Sequence, residues 1–138
     1  MLKNKFFKPA ILLLALALIL PLAACRKPGH VDNLVDLPVV ASSGSVTKEK
    51  VKGAIFGACI RRGWVAREIS PGLISASITT KRGVSAEVEI PYTGTKFSIN
   101  YKNSVGLSYN PQNQTINSRY VCWVNNLRQD IVAALIRL

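Results

Sequence analysis

Val84-Ser85-Ala86-Glu87-Val88-Glu89-Ile90 alternates apolar and polar side chains along its whole length. With a period of two, Val84, Ala86, Val88 and Ile90 share one face and Ser85, Glu87 and Glu89 the other. That is the pattern of an antiparallel strand with one face covered and one in water. Two similar stretches precede it, Trp64–Ile69 and Leu73–Ile78, joined through Ser70-Pro71-Gly72; Lys96–Tyr101 and Val105–Tyr109 follow. Arg82-Gly83 and Thr93-Gly94 supply further turn residues. Consecutive antiparallel strands need only tight turns, so a meander of four or five strands is the simplest topology.

A sheet with one apolar face needs a cover, and amphipathic segments flank this one on both sides. From about Lys48 to Arg62, Val51, Ile55, Ala58 and Cys59 recur at helical spacing, with Thr47, or Ser45 slightly earlier, as cap and Gly63 as stop. Phe56 and Ile60 lie well round from that stripe, so they meet a second cover or stand free as an apolar contact. From about Ser118 to Ile136, Tyr120, Val124, Leu127, Ile131, Ala134 and Leu135 share a face, with Trp123 on its flank and Asn117 or Ser118 as cap. The fold expected is a two-layer α+β domain: an antiparallel meander sheet of four or five strands, covered on one face by an N-terminal and a C-terminal helix.

Upstream of the first helix, residues 26–46 contain two prolines, two glycines and a serine cluster, which argues for a tether. Leu34, Val35, Leu37, Val39 and Val40 are more apolar than a passive linker requires; they either dock on the domain's own edge, the commoner outcome, or meet another protein. His30 falls in this stretch. Without an acidic or cysteine partner at ligand spacing, it is expected to be a solvated side chain.

The beginning of the chain has another character. Lys3, Lys5 and Lys8 precede an almost pure Ala/Leu/Ile run from Ala10 to Leu20, and Pro21 then leads to Leu22-Ala23-Ala24-Cys25. A membrane span needs about 20 apolar residues, and this run is shorter. It has the layout of a signal peptide. Leu-Ala-Ala-Cys resembles the lipobox of bacterial lipoproteins, in which the cysteine thiol receives a diacylglycerol and the chain is cleaved just before it. The resemblance implies a leader over 1–24, a lipidated N-terminus and tether over 25–46, a domain over 47–138, and membrane attachment through Cys25. Arg26, where an aspartate would favour inner-membrane retention, implies the periplasmic face of the outer membrane.

The leader carries three of the 18 basic residues and none of the seven acidic ones, so the remaining 114 residues have a net charge of +8. That is enough chain for one domain. The clusters Lys48/Lys52 (with Lys50), Arg61/Arg62 with Arg67, and Lys81/Arg82 form a candidate basic surface for an anionic envelope polymer, headgroup or glycan. An envelope location and dispersed charges argue against nucleic acid as a physiological partner.

No catalytic residue, metal site or cofactor is assigned. The serines lack a G-x-S-x-G elbow, and the one histidine lies outside the domain. Glu87 and Glu89 share one strand face, whereas paired catalytic carboxylates usually oppose each other across a cleft. Cys59 and Cys122 are a candidate disulfide, compatible with an oxidising compartment. Helical spacing points Cys122 away from its own helix's stripe, so bridged and free forms stay equally open. Trp64 and Trp123 are candidate members of an aromatic contact, alongside Phe56 and Ile60.

Arg62-Gly63-Trp64, Ser70-Pro71-Gly72, Phe97-Ser98-Ile99-Asn100-Tyr101 with Ser104 and Leu107, and Tyr120 with Trp123-Val124 and Leu127 are similar to a group of small proteobacterial lipoproteins. The likeness spans most of residues 50–135. It implies lipidation and the helix-sheet-helix order, and supplies neither catalytic residue nor ligand; Cys59 and Cys122 are not part of it. The function expected is a non-enzymatic structural or protein-contact role in the envelope, with a binding module for an anionic envelope ligand (glycan, lipid headgroup or small molecule) as the alternative.

Overall fold

A computed structural model describes residues 28–138. The leader and Cys25 lie outside the described residues.

The described chain runs β1 (Gly29–His30), β2 (Leu34–Pro38), α1 (Lys48–Arg61), β3 (Val65–Ser70), β4 (Leu73–Thr79), β5 (Ser85–Pro91), β6 (Lys96–Val105), β7 (Thr115–Ile116) and α2 (Ser118–Ile136). Five strands form an antiparallel sheet in the order β2-β6-β5-β4-β3, and β1 pairs with β7 beside it. Both helices cover one face. The two-layer α+β domain is therefore present, and β3 through β6 form the meander.

The fifth strand differs from the expected one. Val105–Tyr109 is not a sheet strand: β6 ends at Val105, and positive φ at Gly106 (73°) and Ser108 (51°) turns the chain away. Its place in the count is taken by β2, from the stretch read as a tether. Val39 N–H continues this attachment by donating to the Thr95 carbonyl at 2.8 Å. Residues 28–46 thus dock along the domain edge.

Thr47 caps α1 by accepting from Lys50 N–H at 3.4 Å, and Asn117 caps α2 by accepting from Arg119 N–H at 2.9 Å. Gly63, at φ 76°, supplies the left-handed turn after α1. The expected helical stripes are buried: Val51, Ile55, Ala58 and Cys59 from α1, and Tyr120, Val124, Leu127, Ile131 and Leu135 from α2. They meet Ile74, Ala76, Val88, Ile90, Phe97 and Ile99 of the sheet in one core. The helices are also joined at the surface, where Arg62 Nε and Nη2 donate to Asp130 Oδ2 and Oδ1 at 2.8 and 3.1 Å.

Trp64 N–H donates to the Cys59 carbonyl at 2.9 Å, closing the α1–β3 connection, and its ring is only 3 % exposed. Val65, one residue on, therefore points to the uncovered face.

Candidate functional site

Lys48 and Lys52 stand one helical turn apart at the start of α1. Beside them the end of β3 contributes Glu68, the β3–β4 turn Gly72, and the end of β5 Tyr92. The Tyr92 hydroxyl donates to Glu68 Oε1 at 2.6 Å, Lys52 Nζ to Glu68 Oε2 at 3.0 Å, and Gly72 N–H to Oε1 at 3.4 Å. Lys48 Nζ sits 5.6 Å from the centre of the Tyr92 ring. Gly72 is required here: φ is 84°, and a Cβ would fall 2.8 Å from Lys48 Nζ. An open depression of about 410 Å³ lies over this group, bordered also by Glu49, Ile69 and Pro71.

The hydrogen bond from Tyr92, followed by that from Lys52, holds the Glu68 carboxyl down at about 2. Burial first, and then the bond to Glu68, pushes the Tyr92 hydroxyl up to about 12. Both groups are thereby moved away from neutrality, opposite to what general acid–base catalysis requires. The cluster ties three elements together; it is not tuned to move protons at neutral pH. Its two lysines are matched by Glu49 and Glu68, so the depression has no excess of positive charge.

The other basic residues do not gather around it. Val65 pairs with Ser77, Thr79 with Ser85, and Ser85 with Val105. Hence the α1–β3 connection bearing Arg61 and Arg62 and the β4–β5 turn bearing Lys81 and Arg82 share the opposite end of the sheet from Lys48 and Lys52. Arg62 is occupied by Asp130, and Arg61 Nη2 reaches the Asp130 carbonyl at 3.5 Å. Arg67 faces outward from β3, on the uncovered side of the sheet. The candidate basic surface is therefore divided among separate regions.

On that uncovered face, Lys102 Nζ lies 2.8 Å from Glu89 and 3.7 Å from Glu87, while the Ser75 hydroxyl donates to Glu87 at 2.8 Å. The two carboxylates form a cross-strand ladder. His30 is exposed and lies 2.8 Å from Asp32, a near neighbour overlooked in the sequence reading. Among the described residues, no group of three or more His, Cys, Asp or Glu side chains is placed to hold a metal ion.

Cys59 and Cys122 are both free, the first buried in the core and the second exposed on α2. Burial pushes the Cys59 thiol up to about 12. The candidate disulfide is thus not formed. Trp64 is also removed from the candidate aromatic contact, because it is core. Trp123 and Phe56 are half-buried against the core, and Ile60 is 71 % exposed. Val65 at 64 %, Val105 at 57 % and Ile69 at 48 % exposed are further open apolar positions of the sheet that sequence reading did not single out, because alternation gives two faces without saying which is covered.

A second depression, of about 350 Å³, opens where Val31, Asp32 and Asn33 pass Tyr101 and Tyr109. Tyr101 packs against Tyr109 with ring centres 4.4 Å apart and meets the edge of Tyr120 at 5.4 Å. Among the described residues, no helix is long and apolar enough to cross a membrane. No family model matches the chain, and comparisons with curated proteins and with solved structures return no match.

Proposed function

We propose that this chain is a lipid-anchored envelope protein, attached through Cys25 to the periplasmic face of the outer membrane, whose domain makes a non-enzymatic contact with another envelope protein. The anchor is supported by the basic residues, apolar run and Leu22-Ala23-Ala24-Cys25 of the leader. The contact role is supported by the free edge of β3. Its partner β4 lies on one side only, its register is regular from Val65 to Glu68, and exposed Val65 and Ile69 border it. Ile60 adds a further exposed apolar side chain just before the strand.

The other sheet edge is blunted. β2 has a register shift between Leu34 and Leu37, Asp36 at φ 53°, and Pro38 at its end. Bulges and prolines discourage strand addition; β3 has its own register shift only at its last step, between Glu68 and Ser70, whereas the shift in β2 interrupts the middle of the strand. An extended partner segment therefore has β3 as its better template.

A photo-crosslinking side chain at Val65, introduced in the producing cell, tests this proposal. Capture of one defined envelope protein from Val65, and not from Lys81 in the β4–β5 turn, is expected. Equal labelling from both positions, or no envelope partner, contradicts it. Lys50, Arg67, Lys81 and Arg82 make no ion pair among the described residues, which supports binding of an anionic envelope ligand as a second reading. Such binding should weaken as ionic strength rises; salt-independent retention contradicts that reading.

A further inference from the structure

The leash between an acylated Cys25 and the folded domain is very short. Gly29 is already held in β1 opposite Ile116, and Val31 N–H donates to the Gln114 carbonyl at 2.8 Å. Four residue steps separate Cys25 from Gly29, spanning at most about 14 Å when fully extended. The polar layer on each side of a bilayer occupies roughly 5–7 Å of that distance. The corner formed by β1, β7 and the first turns of α2 has little freedom to leave the headgroups.

We infer that this corner is a membrane-docking surface whose occupant is the anionic lipid layer. The inference deepens the anchoring proposal and rests on it. Three features of the corner fit that occupant. Gly29 packs so closely on α2 that a Cβ would fall 2.5 Å from Val121 Cγ2 and 3.5 Å from the Ser118 Cα, so β1 lies directly against this helix. Arg119 in the first turn of α2 is exposed, and the sequence between Cys25 and Gly29 carries Arg26 and Lys27 and no acidic residue, so the charge nearest the anchor is positive. Half-buried Tyr109 adjoins the nearby depression, and an aromatic ring with a polar tip suits the headgroup level.

The same geometry gives the domain an orientation. Asn33 Oδ1 accepts from Tyr101 N–H at 2.9 Å, so the leash side of the molecule adjoins β6 and β2. β3 is four strand spacings from β2, about 19 Å across the sheet. Docking by the β1–β7 corner therefore leaves the proposed partner-binding edge away from the lipid.

Cys122, exposed and one helical turn after Arg119 on α2, is a native reporter of this contact, while Cys59 is buried. Lipidated protein is placed in vesicles of phosphatidylethanolamine and phosphatidylglycerol, and the reaction of Cys122 with a bulky, impermeant maleimide is timed. At least a several-fold slowing relative to a Cys25→Ser chain without lipid is expected. A thiol introduced by Arg67→Cys, with Cys122→Ser, should react equally fast in both settings. Ten Gly/Ser residues inserted between Lys27 and Pro28 should restore the Cys122 rate. An acylated protein whose Cys122 reacts as fast as in the lipid-free chain, or whose slowing survives the insertion, overturns this inference alone. An unmodified Cys25, read by mass on the same sample, overturns the anchoring proposal with it.

Discussion

The Tyr92 hydroxyl donates to Glu68 Oε1 at 2.6 Å, joining the ends of β5 and β3 beside the first turn of α1. Lys52 completes the tie from the helix layer at 3.0 Å. The polar rim of the domain thus binds its two layers together where the apolar core ends.

That tie has a definite pH signature. Glu68 titrates at about 2 in the folded chain, below the unfolded carboxyl at about 4.3. Its contribution is present above the unfolded value and lost as pH falls through the folded one. Tyr92→Phe should therefore lower the unfolding temperature at neutral pH and lose less stability than the parent on acidification toward pH 2. Thermal unfolding measured across that range checks it; an identical acid limb in both chains counts against the tie.

The tyrosines separate at alkaline pH. Tyr92 is raised to about 12 by burial and then by Glu68, and Tyr120 is raised further, chiefly by burial. An unfolded tyrosine titrates at about 10, so these two should remain unionised at about pH 11 while the fold persists. The stabilising effect of each raised group is complete below the unfolded value and disappears as pH rises through the folded one. Ultraviolet titration of Tyr92→Phe and Tyr120→Phe should each remove one late-ionising phenol; four phenols ionising together would contradict this placement.

The thiols offer a structural check free of membranes. A Cys25→Ser chain should expose one fast-reacting thiol, Cys122, while Cys59 reacts only on unfolding. Reductant should leave the intact mass unchanged, whereas loss of a disulfide would add two hydrogens. Cys59→Ser should cost about 1–3 kcal/mol by placing a hydroxyl in an apolar site, measured by urea unfolding. Two fast thiols, or a reducible bridge, would refute the packing of α1.

Gly29 provides a test of the β1–α2 contact. Gly29→Ala crowds Val121 Cγ2, at 2.5 Å from the added carbon, and should destabilise the domain; overpacking of this kind costs about 1–3 kcal/mol. Val121→Ala in the same chain should recover part of the loss, giving a favourable coupling in a double-mutant cycle. Additive losses would show that the two side chains do not compete for space. By comparison, Leu127→Ala in the core should cost about 2–5 kcal/mol through lost burial and a cavity.

Helices and meander were legible because their local signals agreed with their surroundings: Thr47 and Asn117 cap helices whose apolar stripes are buried. β2 was hidden because the shift between Leu34 and Leu37 destroys the period of two, while nearby proline and glycine resemble a linker. Trp64 was offered as a surface contact because period fixes the separation of two faces without saying which is covered; the Trp64–Cys59 backbone bond ties the start of β3 to the end of α1, and the ring enters the core. The Glu68 cluster was illegible for another reason. Its members stand at positions 48, 52, 68, 72 and 92, and only the closed sheet brings them together.

The leader and lipobox leave a chemical mark that can be read directly. Protein extracted from the producing cell's membranes and digested should yield an N-terminal peptide that begins at Cys25 and carries a thioether-linked diacylglycerol. A mature peptide beginning elsewhere, or a Cys25 with an unmodified sulfur in exported protein, would contradict the lipid-anchored account.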